Sequence, residues 1–354
     1  MRIGINFYPD FVELPLEVLK EGILNEKNLK FAKQIGADGI VAWMPLPAKN
    51  GVWAYEDLLE LRKFVEKTGL KIEAVENLPP THYDRILFGL EGRDSQIENI
   101  KTTIRNMGKA GIYCLGYSFS IPGYQGHCSR GENGGGRGDS GIIKFDYDKV
   151  DSKDYLNYGE LWGGWKTSYY DKSKLLGEVK KEQLWERLIY FLEKILPVAE
   201  ESGVKMCIHP ADPPAPVLRG VENIMNTVED FKKLIELFPG NYHGLEFCQG
   251  TFAEMQNVGP DVIELIHYFG SRKKIFYVHF RNVKGTFPKY EEVFIDEGDV
   301  SMIEAMKAYR ETGFDGVLIP DHVPVINSVS EPWHTGMAYS IGYMKAVMQA
   351  LDTI

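Results

Sequence analysis

Four short apolar runs in the second half of this chain each end on a side chain that can bind a metal or move a proton. Lys205-Met206-Cys207-Ile208 ends at His209, Gly244-Leu245-Glu246-Phe247 at Cys248, Ile275-Phe276-Tyr277-Val278 at His279, and Val317-Leu318-Ile319-Pro320 at Asp321, with His322 next. One thiolate, two imidazoles and one carboxylate form a mixed donor set that suits a divalent transition metal, whereas all-oxygen sets suit Ca²⁺ or Mg²⁺ and Cys-rich sets suit structural Zn²⁺. Taken singly, a strand-end histidine is more often structural and a cysteine there is more often packing. Four on successive runs point instead to one shared site. His322 cannot share the direction of Asp321 in an extended strand, so its expected role is general acid or base. His267, inside a helical pattern, and His243, ahead of its strand, are read as structural.

These side chains meet only if the fold brings the runs together. Strand-like runs fall near 2–8, 39–44, 71–77, 112–119, 205–209, 244–248, 275–282 and 316–321. Helical patterns lie near 26–36, 55–68, 94–110, 180–203, 227–238, 258–270, 300–312 and 334–352. Glycine follows the helical patterns at Gly36, Gly69, Gly111, Gly203 and Gly313, where a left-handed residue ends a helix. Strands alternating with helices imply parallel pairing, and eight such units predict a single (β/α)8 barrel spanning 1–354. In that barrel every strand C-terminus opens on one face, so the four candidate ligands line an arc of its mouth. No G-x-G-x-x-G follows the first strand, which argues against a dinucleotide fold. Residues 120–177 break the rhythm: they are rich in Gly, Tyr, Trp and charge, and are read as an insertion after strand 4. It either folds over the mouth as a lid or packs on a partner subunit in a homo-oligomer.

Composition narrows the class further. Across 354 residues the net charge is -10, with 44% hydrophobic and 25% charged residues. That balance fits a globular enzyme and disfavours nucleic acid, which demands clustered cations. No run approaches the roughly 18 apolar residues of a membrane span. Four cysteines without regular spacing and a start with no leader pattern lead to the expectation of a reduced, cytoplasmic protein. For a small anionic substrate, Arg281 and Asn282 emerge just past His279, and a guanidinium fork suits a carboxylate. Glu76 ends strand 3 and His82 follows in the next loop; they are candidates to bind substrate hydroxyls or to cap the barrel.

The chain resembles the D-mannonate dehydratases, metal-dependent lyases on a xylose-isomerase-like barrel. The resemblance rests on Ile208-His209-Pro210-Ala211-Asp212-Pro213-Pro214, Gly244-Leu245-Glu246-Phe247-Cys248-Gln249-Gly250, Val278-His279-Phe280-Arg281-Asn282-Val283 and Pro320-Asp321-His322, with Gly51-Val52-Trp53, 69–76, 99–112 and 296–300 in support. It implies Mn²⁺ or Fe²⁺ held by His209, Cys248, His279 and Asp321, a catalytic His322, and dehydration of a sugar acid, D-mannonate to 2-keto-3-deoxy-D-gluconate. Departures occur at Asn6-Phe7-Tyr8, Gly116-Tyr117-Ser118-Phe119, 126–141 and the stretch after His322. They leave the tyrosine partner in proton transfer to be filled by Tyr8 or Tyr339. Two rival expectations remain, a sugar isomerase or epimerase on the same barrel and a sugar-acid-binding barrel without catalysis.

Overall fold

The computed structural model describes residues 1–7, 24–43, 51–122, 134–151 and 153–353. Eight parallel strands close into a barrel: β1 (Arg2–Asn6), β2 (Gly39–Trp43), β3 (Lys71–Glu76), β4 (Cys114–Ser118), β5 (Lys205–His209), β6 (His243–Cys248), β7 (Ile275–His279) and β8 (Val317–Ile319), with β8 pairing back to β1. Each strand is followed by helix, principally α1 (Glu26–Gln34), α2 (Tyr55–Glu66), α3 (Arg93–Ala110), α4 (Lys181–Ser202), α5 (Val228–Leu237), α6 (Val262–Ser271), α7 (Met302–Glu311) and α8 (Pro332–Asp352). The expected barrel and its strand and helix order are thus those observed. Among the described residues no helix is long and apolar enough to cross a membrane.

Local chemistry explains the boundaries. Thr227 and Ser301 cap α5 and α7 by accepting hydrogen bonds from the backbone N–H of Asp230 and Glu304, which satisfies donors that have no partner within the helix. Gly111 and Gly203 end α3 and α4 at φ of 78° and 69°, a left-handed turn that costs a side-chain-bearing residue more than glycine. Between helices and sheet lies the main core, in which Phe247 stacks on Phe252 with ring centroids 4.4 Å apart and meets Tyr309 edge-on.

Inside the barrel, alternation along each strand sends every second side chain inward. The lower interior holds apolar groups, among them Val41, Ala74, Cys114, Cys207, Val317 and Ile319. Register then carries the pattern up to the mouth, where Trp43 pairs with Glu76, Ser118 with His209 and Cys248 with His279.

Small sheets outside the barrel interrupt the alternation of strand and helix. After β7 the chain forms a hairpin, Asn282–Thr286 with Lys289–Val293. The strand Ile143–Asp146, from the 120–177 segment, adds to its far edge. The same segment forms a second hairpin, Asn157–Glu160 with Lys166–Leu175. It reaches the barrel through an antiparallel bridge from Gly141 to Val325, the Arg137–Asp296 ion pair at 2.8 Å and Trp162 standing edge-on to Trp43.

Phe247 is fully buried among aromatic partners, so Phe247→Ala is expected to lower stability by about 3–5 kcal/mol through lost contact and a residual cavity. Chemical denaturation followed by tryptophan fluorescence measures it.

Candidate metal centre

Three of the expected ligands, His209, Cys248 and His279, end adjacent strands and offer ligand atoms all within 4.8 Å of one another; Glu76, His279 and Asp321 form a second such trio. Both trios share His279, so the four expected ligands and Glu76 gather around one imidazole. His209 Nδ1 donates to the carbonyl of Pro210 at 2.7 Å, since a carbonyl can only accept, and this leaves Nε2 with the lone pair a metal ligand needs. Cys248 Sγ accepts from Thr251 Oγ1 at 3.0 Å. Burial alone would push the Cys248 thiol up, but the Arg281 charge and the imidazoles of His209 and His279 outweigh it and hold the group well below the usual thiol range. A thiolate is the form that binds metal.

The electrostatics favour a cation strongly. His279 is 1% exposed, with Nε2 3.1 Å from both Glu76 Oε2 and Glu246 Oε1 and Nδ1 3.3 Å from Asp321 Oδ2. Burial should lower its pKa, yet the Asp321 and Glu76 carboxylates raise it well above the ordinary histidine value. His209 is likewise pushed up to about 9 against the effect of burial, by Glu246 and Cys248. A pocket that draws protons onto buried imidazoles is one in which a divalent ion relieves the same negative potential. The donor set and this potential both fit a transition metal.

Asp321 and His322 reach the same region although they are neighbours in sequence. β8 stops at Ile319, and Asp321 takes a left-handed φ of 58°, a conformation that Asp tolerates better than most residues. The turn frees the pair from strand alternation. Asp321 then meets His279 and the Arg281 Nε at 3.1 Å, while His322 Nδ1 lies 2.7 Å from Glu292 Oε2. Glu292 comes from the hairpin after β7. It accepts the Nδ1–H of His322 and so fixes the orientation of the ring.

Several expected site residues sit differently. The Arg281 guanidinium is 2% exposed and faces Glu254 at 2.6 Å, Asp212 at 2.8 Å, Thr251 at 2.9 Å, and Glu292 and Asp321 at 3.1 Å. Its terminal nitrogens donate to Glu254, Asp212 and Thr251 and its Nε is ion-paired with Asp321, so the expectation that it grips a substrate carboxylate gives way to one in which it neutralises and orients Asp321. Asn282 is similarly committed, donating to the carbonyls of Ile295 and Val300 and accepting from the N–H of Val283 and Val300. Glu76, expected to meet substrate, joins the donors around His279. His82 is buried edge-on to Trp53 and stands outside both donor trios. Tyr339 lies on α8 beside Arg137 and Phe294, away from the donor trios, and Tyr8 is outside the described residues. Glu246, Glu254 and Glu292 escaped the sequence reading. For Glu246 a signal existed, since an acid inside a fully buried strand requires a partner.

A closed parallel barrel carrying sulfur, nitrogen and oxygen donors at its C-terminal mouth defines a metal-dependent enzyme of the (β/α)8 class. The D-mannonate dehydratase (UxuA) family model matches residues 22–354. Mannonate dehydratase 2 of Halalkalibacterium halodurans is 35% identical over 85% of this chain and 88% of its own length, and the mannonate dehydratase of Thermotoga maritima is 34% identical over 83% and 85%. The crystal structure of mannonate dehydratase from Streptococcus suis serotype 2 superposes with a TM-score of 0.76 at 28% identity, over 99% of this chain and 94% of that one. The chain belongs to the D-mannonate dehydratase family.

Cys248→Ala is expected to purify with less than a tenth of the wild-type metal content, read by elemental analysis of dialysed protein. Full metal occupancy in that variant would remove Cys248 from the ligand set. Arg281→Met strands several buried carboxylates, so about 3–5 kcal/mol of stability should be lost, measured by urea denaturation.

Proposed function

We propose that this chain is a hydro-lyase that dehydrates D-mannonate to 2-keto-3-deoxy-D-gluconate, using Mn²⁺ or Fe²⁺ held by His209, Cys248, His279 and Asp321. The observation that carries the reading is the pairing of this donor set with an adjacent imidazole, His322, held by Glu292 at 2.7 Å. The named dehydratases among its relatives supply the substrate class.

When bound, the metal would act as a Lewis acid toward the substrate carboxylate and its neighbouring hydroxyl, easing loss of the weakly acidic C2 proton. The chain's own groups do the rest. Arg281 holds Asp321 in place by charge, and the Pro210 carbonyl fixes the tautomer of His209. Dehydration requires one group to take the C2 proton and one to protonate the departing C3 hydroxyl. His322 Nε2 serves one of these transfers, with Glu292 keeping the ring aimed. The 120–177 segment acts as a lid, a role supported by its contacts with Val325, Asp296 and Trp43 around the mouth. Closing the mouth excludes water and strengthens every charge interaction inside.

Protein reconstituted with Mn²⁺ should convert D-mannonate to a 2-keto-3-deoxy acid, detected colorimetrically, and leave neutral aldoses unchanged. Turnover of neutral sugars alone would replace this reading with an isomerase. His322→Asn should retain its metal and lose about 10²–10⁴-fold in kcat. Exchange of the C2 hydrogen with deuterated solvent then assigns the role: it stops in the variant if His322 is the base, and continues without elimination if His322 is the acid.

A further inference from the structure

Gly116 lies on β4 one layer beneath the mouth, in register with Cys207. A β-carbon at this position would come 2.3 Å from Tyr277 Oη, 2.5 Å from Glu246 Oε2 and 3.1 Å from Asn77 Oδ1. Real β-carbons essentially never approach heavy atoms within 3.0 Å. Polar groups from β6, β7 and the end of β3 therefore converge on space that only glycine leaves open.

Their chemistry is complementary. Glu246 is 0% exposed, Tyr277 1% and Asn77 9%. Among the described residues nothing hydrogen-bonds to Glu246 Oε2, Tyr277 Oη or Asn77 Oδ1. A carboxylate can only accept, so the Tyr277 O–H is the group able to donate to it. A half-turn of the Asn77 amide, whose oxygen and nitrogen exchange places in such a turn, supplies a second donor. Those donors can hold Glu246 through Oε2, while Oε1 stands 3.1 Å from His279 Nε2, the nitrogen whose hydrogen bond runs to Glu76 Oε2 at 3.1 Å. A neutral imidazole carries one N–H. If it points to this pair of carboxylates, the lone pair is on Nδ1, the nitrogen 3.3 Å from Asp321 Oδ2.

We infer that Glu246 is a positioning residue for His279, favouring together with Glu76 the tautomer in which Nδ1 faces the metal, and that Gly116 is the residue that admits it. The inference rests on the metal reading above and adds to it a carboxylate that makes the ligand more electron-rich, on a strand where sequence alone shows an apolar run. Carboxylates in this relation to a ligating histidine typically change metal affinity 10–100-fold. Glu76 contributes acceptance at the same nitrogen, but the cradle of Tyr277, Asn77 and Gly116 belongs to Glu246.

The test uses Co²⁺ as the probe, titrated into metal-free full-length protein against a competing chelator, with the thiolate-to-cobalt charge-transfer band as a report on Cys248. Glu246→Gln keeps side-chain volume and should bind Co²⁺ 10–100-fold more weakly while keeping that band and a near wild-type melting temperature. Gly116→Ala, which displaces the carboxylate without altering it, should weaken binding in the same direction, and the double variant should be little worse than either alone. Affinity within twofold of wild type in both single variants overturns the inference while leaving the metal site standing. Failure of wild-type protein to take up Co²⁺ overturns both, so the two failures are distinguishable.

Discussion

A buried carboxylate must find a donor, a proton or a cation, and the mouth of this barrel buries Glu76, Glu246, Glu254, Glu292 and Asp321 within reach of one guanidinium and a few imidazoles. Isolated ionised groups in such surroundings cost several kcal/mol each. Most of what the site looks like follows from this imbalance. Arg281 is drawn fully inside, the imidazoles are pushed toward their charged forms, and a thiolate is stable at Cys248 only because cationic groups ring it. A divalent cation at the donor set completes the balance that the side chains leave unfinished.

The barrel supplies the precision. Adjacent strand ends set Cys248 beside His279 by register, with no loop involved. Loops enter where direction has to change: the left-handed turn at Asp321 presents two consecutive side chains to one chamber, and the hairpin after β7 brings Glu292 back onto His322. Rigid strand ends therefore carry His209, Cys248 and His279, whereas irregular backbone carries Asp321 and His322.

Sequence made these side chains legible and hid the acids that orient them. His209, Cys248, His279 and Asp321 stand out because each ends an apolar run, and the fold turns run ends into neighbours. The spacing of helical patterns and glycine stops gave the strand order for the same reason, as local periodicity reflects burial. Arg281 was misassigned because a charged residue past a strand is ordinarily solvated, and only the tertiary fold surrounds it with acids. Glu292 lies on a short hairpin strand and meets its acid-base partners, Arg281 and His322, only through the tertiary fold, so no local pattern marks it. Glu246 was masked by its apolar neighbours Leu245 and Phe247, which face the helix layer while it faces the barrel axis.

The strand Lys289–Val293 is flanked on one side by its own hairpin partner and on the other by Ile143–Asp146, and the Lys144–Glu291 ion pair spans 147 residues of chain. Pairing over that separation is entropically late, because the intervening loop must close before the contact repays it. The placing of His209, Cys248 and His279 at the ends of β5 to β7 depends on barrel closure. The orientation of His322, through Glu292, depends in addition on the 120–177 segment finding its place. The placing of His322 thus rests on a long-range pairing that the strand-end groups do not need. Variation within Ile143–Asp146 is consequently constrained by an imidazole it never touches.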